Sequence, residues 1–126
     1  MNKEFIPYEQ ALELKQLGFD EPCFGCYDEK RVVGLTVMSI KKYYTNSKED
    51  TWNCSAPLYQ QAFRWFREEY GYYYEIFVDD DKTFGFMISY FIEIGRADKP
   101  IQRMYTTYEE AELECLRKLI QLVKNE

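Results

Sequence analysis

Histidine is absent from this 126-residue chain, and its six glycines form no phosphate-cradling cluster of the Walker type. Both absences bear on chemistry. A nucleophile with its histidine base and a glycine-rich phosphate loop are the usual signatures of acyl and phosphoryl transfer, so an enzyme becomes the minority reading. Substrate-assisted or carboxylate-only catalysis stays open. Positive charge is also scarce: 16 Lys and Arg against 22 Asp and Glu leave a net charge of −6. That balance opposes non-specific attraction to nucleic-acid phosphates or anionic lipid unless a local basic patch overrides it. No apolar run approaches the ~18–20 residues that span a bilayer, and the opening MNKEFIPYEQ lacks the apolar core of a signal peptide. Four cysteines beside an ample apolar core do not resemble the dense cystine framework of a small secreted domain. A cytoplasmic protein with reduced thiols, no membrane partner and no cofactor is expected.

Rings are what the chain has in quantity. Aromatic residues make up 18%, with 12 Tyr and 9 Phe, and 46% of all residues are apolar. Disorder is therefore disfavoured, and the length fits one domain over residues 1–126. The stretch Ser55 to Asp79, SAPLYQQAFRWFREEYGYYYEIFVD, organises the rest. Ser55 suits a helix N-cap and Pro57 a first-turn position. Leu58, Tyr59, Ala62, Phe63, Trp65, Phe66 and Tyr70 share one arc at 100° per residue, with Gln60, Gln61, Arg64, Arg67 and Glu68 opposite. Gly71 closes the helix in the left-handed region.

Around it the pattern predicts the order α-β-β-α-β-β-α. Pro7 opens a short amphipathic helix that ends at Gly18. Cys23 to Tyr27 and Val32 to Tyr44 read as a hairpin across Asp28-Glu29-Lys30, and Trp52 as the anchor of a polar loop. Tyr72 to Val78 and Thr83 to Ile94 form a second hairpin across Asp79 to Lys82. In its second strand Phe84, Phe86, Ile88, Tyr90, Ile92 and Ile94 share a face that reads as buried, with Thr83, Gly85, Ser89 and Glu93 on the other. Gly95 to Tyr105 reads as a linker, with an extended piece at Gln102 to Tyr105. Thr107 and Glu110 have capping-box spacing at the start of a last amphipathic helix. The expected fold is α+β: one four-stranded antiparallel sheet of two hairpins packed with three helices.

Few residues carry chemistry at a diagnostic spacing. Cys23 and Cys26 are spaced like a metal knuckle or redox pair, but zinc needs two further ligands, which without histidine would be Cys54 and Cys115 or carboxylates. Asp79-Asp80-Asp81 reads as a solvated turn, because Lys82-Thr83-Phe84 breaks the calcium-loop pattern. Glu68-Glu69 and Glu109-Glu110 sit at helix ends and mark no acid and base pair. Lys82 to Phe86 partly matches the strand motif by which RNA-recognition domains stack bases, yet Phe84 and Phe86 share their face with core isoleucines. Tyr72, Tyr73, Tyr74 and Phe77 admit two readings, core lining or interface, the simplest interface being a homodimer. Tyr73, Phe77, Arg64 and Arg67 are the candidate interaction residues; no catalytic or metal residue is expected.

At PYEQALELKQLGFDEPCFGCYD, SAPLYQQAFRWFREEYG and TTYEEAELECLRKLIQLVKN the chain resembles a group of small proteins from phages and prophages of Bacteroidetes-type bacteria. The resemblance covers most of the chain and implies a viral or mobile-element setting; no activity, fold or catalytic residue comes with it. The expected function is then that of a non-enzymatic accessory protein that binds a host or phage protein, such as an antagonist of host defence. The alternatives are a small-molecule or nucleotide-binding domain and, behind it, a single-stranded nucleic-acid binder or an enzyme.

Overall fold

Three helices and six strands make up an α+β protein in the computed structural model, which describes residues 4–28, 31–34, 45–46, 53–79, 81–92, 94–99 and 104–126. Their contacts group into two compact units, Met1–Ala62 and Phe63–Glu126.

In the first unit, α1 (Tyr8–Gln16) follows Pro7, whose carbonyl accepts from Ala11 N–H at 2.9 Å. It closes as its spacing predicts: the Phe19 N–H returns to the Leu14 carbonyl at 2.9 Å, and the Phe19 ring is buried. Strand β1 (Gly25–Asp28) lies between β2 (Arg31–Gly34) and β3 (Cys54–Ala56), antiparallel to both. The expected first hairpin is therefore present at Arg31–Gly34; its extension over 35–44 and the loop residue Trp52 lie outside the described residues. The Tyr27 hydroxyl donates to the Ile6 carbonyl, and Ile6 N–H to the Pro57 carbonyl at 3.0 Å, tying the start of the chain to this sheet.

Ser55 is not the cap of the second helix. It sits inside β3, fully buried and opposite Cys26, and its N–H donates to Asn46 Oδ1 at 2.8 Å. The sheet takes Ser55 into its ladder, and the helix begins later, as α2 (Tyr59–Tyr70). The division between the two units falls within this helix.

The α2 pattern is otherwise realised. Ala62, Phe63, Trp65 and Phe66 are buried, while Arg64, Arg67, Glu68 and Glu69 are exposed. Gly71, at φ 73°, allows its own N–H to reach the Arg67 carbonyl at 3.1 Å and Tyr72 N–H the Phe66 carbonyl at 3.4 Å, which turns the chain straight into a strand. In the second unit β5 (Phe84–Ile92) is central, with β4 (Tyr73–Val78) and β6 (Gly95–Lys99) antiparallel on either side. Helix α3 (Tyr108–Lys124) packs on β4 and β5. The Thr107 half of the expected capping box is present, with Thr107 Oγ1 accepting from Glu110 N–H at 3.1 Å; the Glu110 carboxylate accepts from the Thr106 and Thr107 hydroxyls.

The expected single four-stranded sheet is thus replaced, among the described residues, by two three-stranded sheets. Each hairpin gains a strand that the sequence disguised. Cys54–Ala56 looks like helix-capping sequence, and Gly95–Lys99 is too polar to read as a strand. Both pair because a neighbouring strand presents free backbone groups, which is a property of the sheet and not of local composition.

Candidate protein-binding surface

Strand pleating sorts the second sheet into two faces, and the register says which residues share each. Tyr74 pairs with Ile88 and Ile76 with Phe86 on the inner face, where Phe63 of α2 stacks on Tyr74 at 4.0 Å and Tyr108 of α3 meets Phe84 edge-on at 6.1 Å. Ile88 is fully buried there. Tyr73, Glu75 and Phe77 of β4, Gly85, Met87, Ser89 and Phe91 of β5, and Arg96 and Asp98 of β6 project from the other face.

That outer face is rich in rings. Tyr73 and Phe91 meet edge-on at 5.6 Å and remain 42% and 66% exposed, and beyond Phe91 along the chain the β5–β6 hairpin ends in Ile92 and Ile94, 46% and 93% exposed. Phe77 is half-buried, with its ring close over Gly85, its cross-strand partner: a Cβ there would stand 3.0 Å from Phe77 Cζ and 2.9 Å from Met104 Sδ. Glycine at 85 is what lets the ring descend onto the sheet. Three polar members of the face engage one another. Asp98 accepts from Ser89 Oγ at 2.7 Å and from Arg96 at 3.2 Å, and those contacts hold its carboxyl below the usual range.

Of the four candidate interaction residues, Tyr73 and Phe77 share this face, and Arg64 and Arg67 do not join them. Both arginines lie on the solvent side of α2, which covers the opposite face through Phe63; Arg64 pairs with Glu68 at 3.5 Å, and the charge of Arg67 acts on Tyr74. Phe91, Ile92, Ile94 and Met104 are the surface residues that the sequence pattern missed. Ile92 and Ile94 had the parity of the buried face, yet the strand ends at Ile92 and the hairpin turns beyond the helices' cover. Phe91 and Met87, apolar at the odd positions, were the available signal.

The alternatives to a contact surface can be weighed on the same geometry. Phe84 and Phe86 are not an open stacking platform, since Phe84 meets Tyr108 and Phe86 stacks on Tyr105 at 6.2 Å. The Asp79–Lys82 turn is closed by Asp79 N–H to the Thr83 carbonyl at 2.8 Å, with Thr83 Oγ1 on Asp81; Asp80 lies outside the described residues.

Among the described residues no group of three or more Cys, Asp or Glu stands so as to hold a metal ion. Cys23 leads into β1 rather than opening a helix. Burial pushes its thiol up to about 12, against the neighbouring Ser55 hydroxyl, itself a buried oxygen with no hydrogen-bond partner of good geometry. Burial raises Cys54 to about 11 and Cys115 further. These are neutral thiols, the opposite of an activated nucleophile. No helix among the described residues is long and apolar enough to cross a membrane. Comparison with protein-family models, curated proteins and solved structures finds nothing that matches the chain.

Proposed function

We propose that this chain is a non-enzymatic protein-binding module, an accessory factor of a phage or prophage that acts in the bacterial cytoplasm by engaging a host or phage protein through the outer face of β4–β5–β6. The phage setting rests on the resemblance in sequence, and antagonism of host defence is the role it suggests. One observation carries the binding mode: Tyr73 and Phe91 meet, exposed, on a sheet face that no helix covers among the described residues, and the exposed Ile92 and Ile94 follow at the hairpin end. Rings of this kind combine apolar area with little conformational entropy to lose, and such contiguous patches mark interaction sites. The acidic neighbours Glu75 and Asp98 favour a protein over a nucleic-acid backbone.

Affinity capture from lysates of infected cells tests it. The wild-type chain, the pair Tyr73→Ala/Phe91→Ala and the pair Arg64→Ala/Arg67→Ala serve as baits, all on exposed positions that leave the core intact. A protein held by the wild type and by the arginine pair, but reduced at least ~10-fold with the aromatic pair, is the expected result. Equal recovery by all three baits, or no specific protein with any of them, refutes the proposal.

A further inference from the structure

Strand β6 is an edge: it pairs with β5 on one side, and among the described residues nothing pairs with the other. Open edges are templates for a further strand, and proteins normally blunt them with charged side chains, especially lysine; β6 ends in one, Lys99. Here the charges alternate in sign. Arg96 and Asp98 project from the same face on either side of Ala97, with their own ion pair at 3.1 Å.

The backbone says which groups the edge offers. Ile92 and Gly95 are cross-strand partners separated only by residues 93 and 94, a loop so short that the closing pair is the hydrogen-bonded one. Alternation then turns the N–H and C=O groups of Gly95, Ala97 and Lys99 toward β5, and those of Arg96 and Asp98 toward the open edge.

From this geometry we infer that β6 pairs antiparallel with β6 of a second copy of the chain, about a two-fold axis at Ala97. In that register Arg96 stands opposite the partner's Asp98 and Asp98 opposite the partner's Arg96. These are the residues whose backbone groups face the open edge, with no strand partner among the described residues, so each pair exchanges both of its ladder bonds. The two existing Arg96–Asp98 pairs merge into one alternating row of four charges on the outer face. At the axis Ala97 meets Ala97 as a non-hydrogen-bonded pair, where side chains come closest and a small one is needed. Two three-stranded sheets become one, and their Tyr73–Phe91 clusters share a continuous face. Shifting the register by two residues in either direction breaks the charge match, so the row specifies the pairing as well as favouring it. The inference does not rest on the binding role proposed above, because it uses the edge of β6 and not the ring cluster.

Sedimentation velocity over a concentration series tests it, with three variants. Arg96→Asp alone and Asp98→Arg alone each set like charges opposite one another and are expected to weaken self-association at least ~10-fold; the double reversal restores complementarity and is expected to recover it to within ~3-fold. Independently, Ala97→Cys is expected to yield a disulfide-linked dimer under mild oxidation, since the four native cysteines are buried and the axis brings the two new thiols together. Thr83→Cys, at the other end of the sheet, is the control and stays monomeric on a non-reducing gel. A wild-type chain that remains monomeric up to about 1 mM overturns the inference. So does a dimer indifferent to the single reversals, or one that Ala97→Cys fails to cross-link.

Discussion

Replacing Glu112 by Gln should make the protein more stable at alkaline pH and leave it almost unchanged at acidic pH. Glu112 lies on α3 with Glu109 and Tyr108 one turn before it and Cys115 one turn after, and it acts on Tyr74 of β4 across the helix–sheet contact. Burial first, and the Glu109 charge second, raise its carboxyl from 4.5 to about 7. The folded chain thus holds this proton more tightly than the unfolded chain does. The stability contribution is complete below about 4.5, is lost as the pH rises toward 7, and above that the folded state carries the full cost of a poorly solvated carboxylate.

At about 1.4 kcal/mol per pH unit the displacement corresponds to about 3 kcal/mol. Glu112 is only partly buried, and solvent screening reduces that to about 1–2 kcal/mol. Urea unfolding at pH 5, 6, 7 and 8, followed by Trp65 fluorescence in a Trp52→Phe background, reads the second unit, where Trp65 is buried. The difference between variant and parent should be about a quarter of its full value at pH 5 and should grow to about 1–2 kcal/mol in favour of Gln at pH 8. A difference that stays flat across the range, or one that favours the parent at pH 8, would refute the assignment; the latter would mean that the ionised carboxylate has a partner.

Two further outcomes follow from packing. Gly85→Val should destabilise the second unit by about 1–3 kcal/mol, because its branches occupy the space of the Phe77 ring and Met104 Sδ, and it should raise the exposure of Phe77 to solvent quenchers; unchanged unfolding midpoints would show that those side chains move aside freely. The four thiols, all buried, should react with a chromogenic disulfide at pH 8 far more slowly in the folded protein than in denaturant, where all four titrate; rapid native labelling of Cys23 would contradict its burial and its rise to about 12.

The helices were legible because their signals are local. The glycine stops at Gly18 and Gly71, the Thr107–Glu110 cap and the buried stripe of α2 each depend on residues within four positions of one another, and all appear in the structure. The strands were less so. Tyr73–Val78 paired with Phe84–Ile92 stood out by alternation and turn spacing, but Cys54–Ala56 and Gly95–Lys99 are strands only because β1 and β5 offer them a partner. Ser55 shows the conflict directly: a good capping residue by local chemistry, it is taken by the sheet, where it lies fully buried opposite Cys26.

The surface divides in the same way. Composition alone settled that this chain is acidic, rich in rings and without histidine, and so set aside the catalytic chemistry that histidine serves. Which rings are buried was decided by tertiary structure. Tyr73 and Tyr74 are adjacent and chemically alike, yet Tyr74 lies under Phe63 and Tyr73 faces solvent beside Phe91, because α2 and α3 cover one face of the pleat and leave the other open. Alternation determines that neighbouring side chains diverge; only the placement of the helices determines which of them meets water.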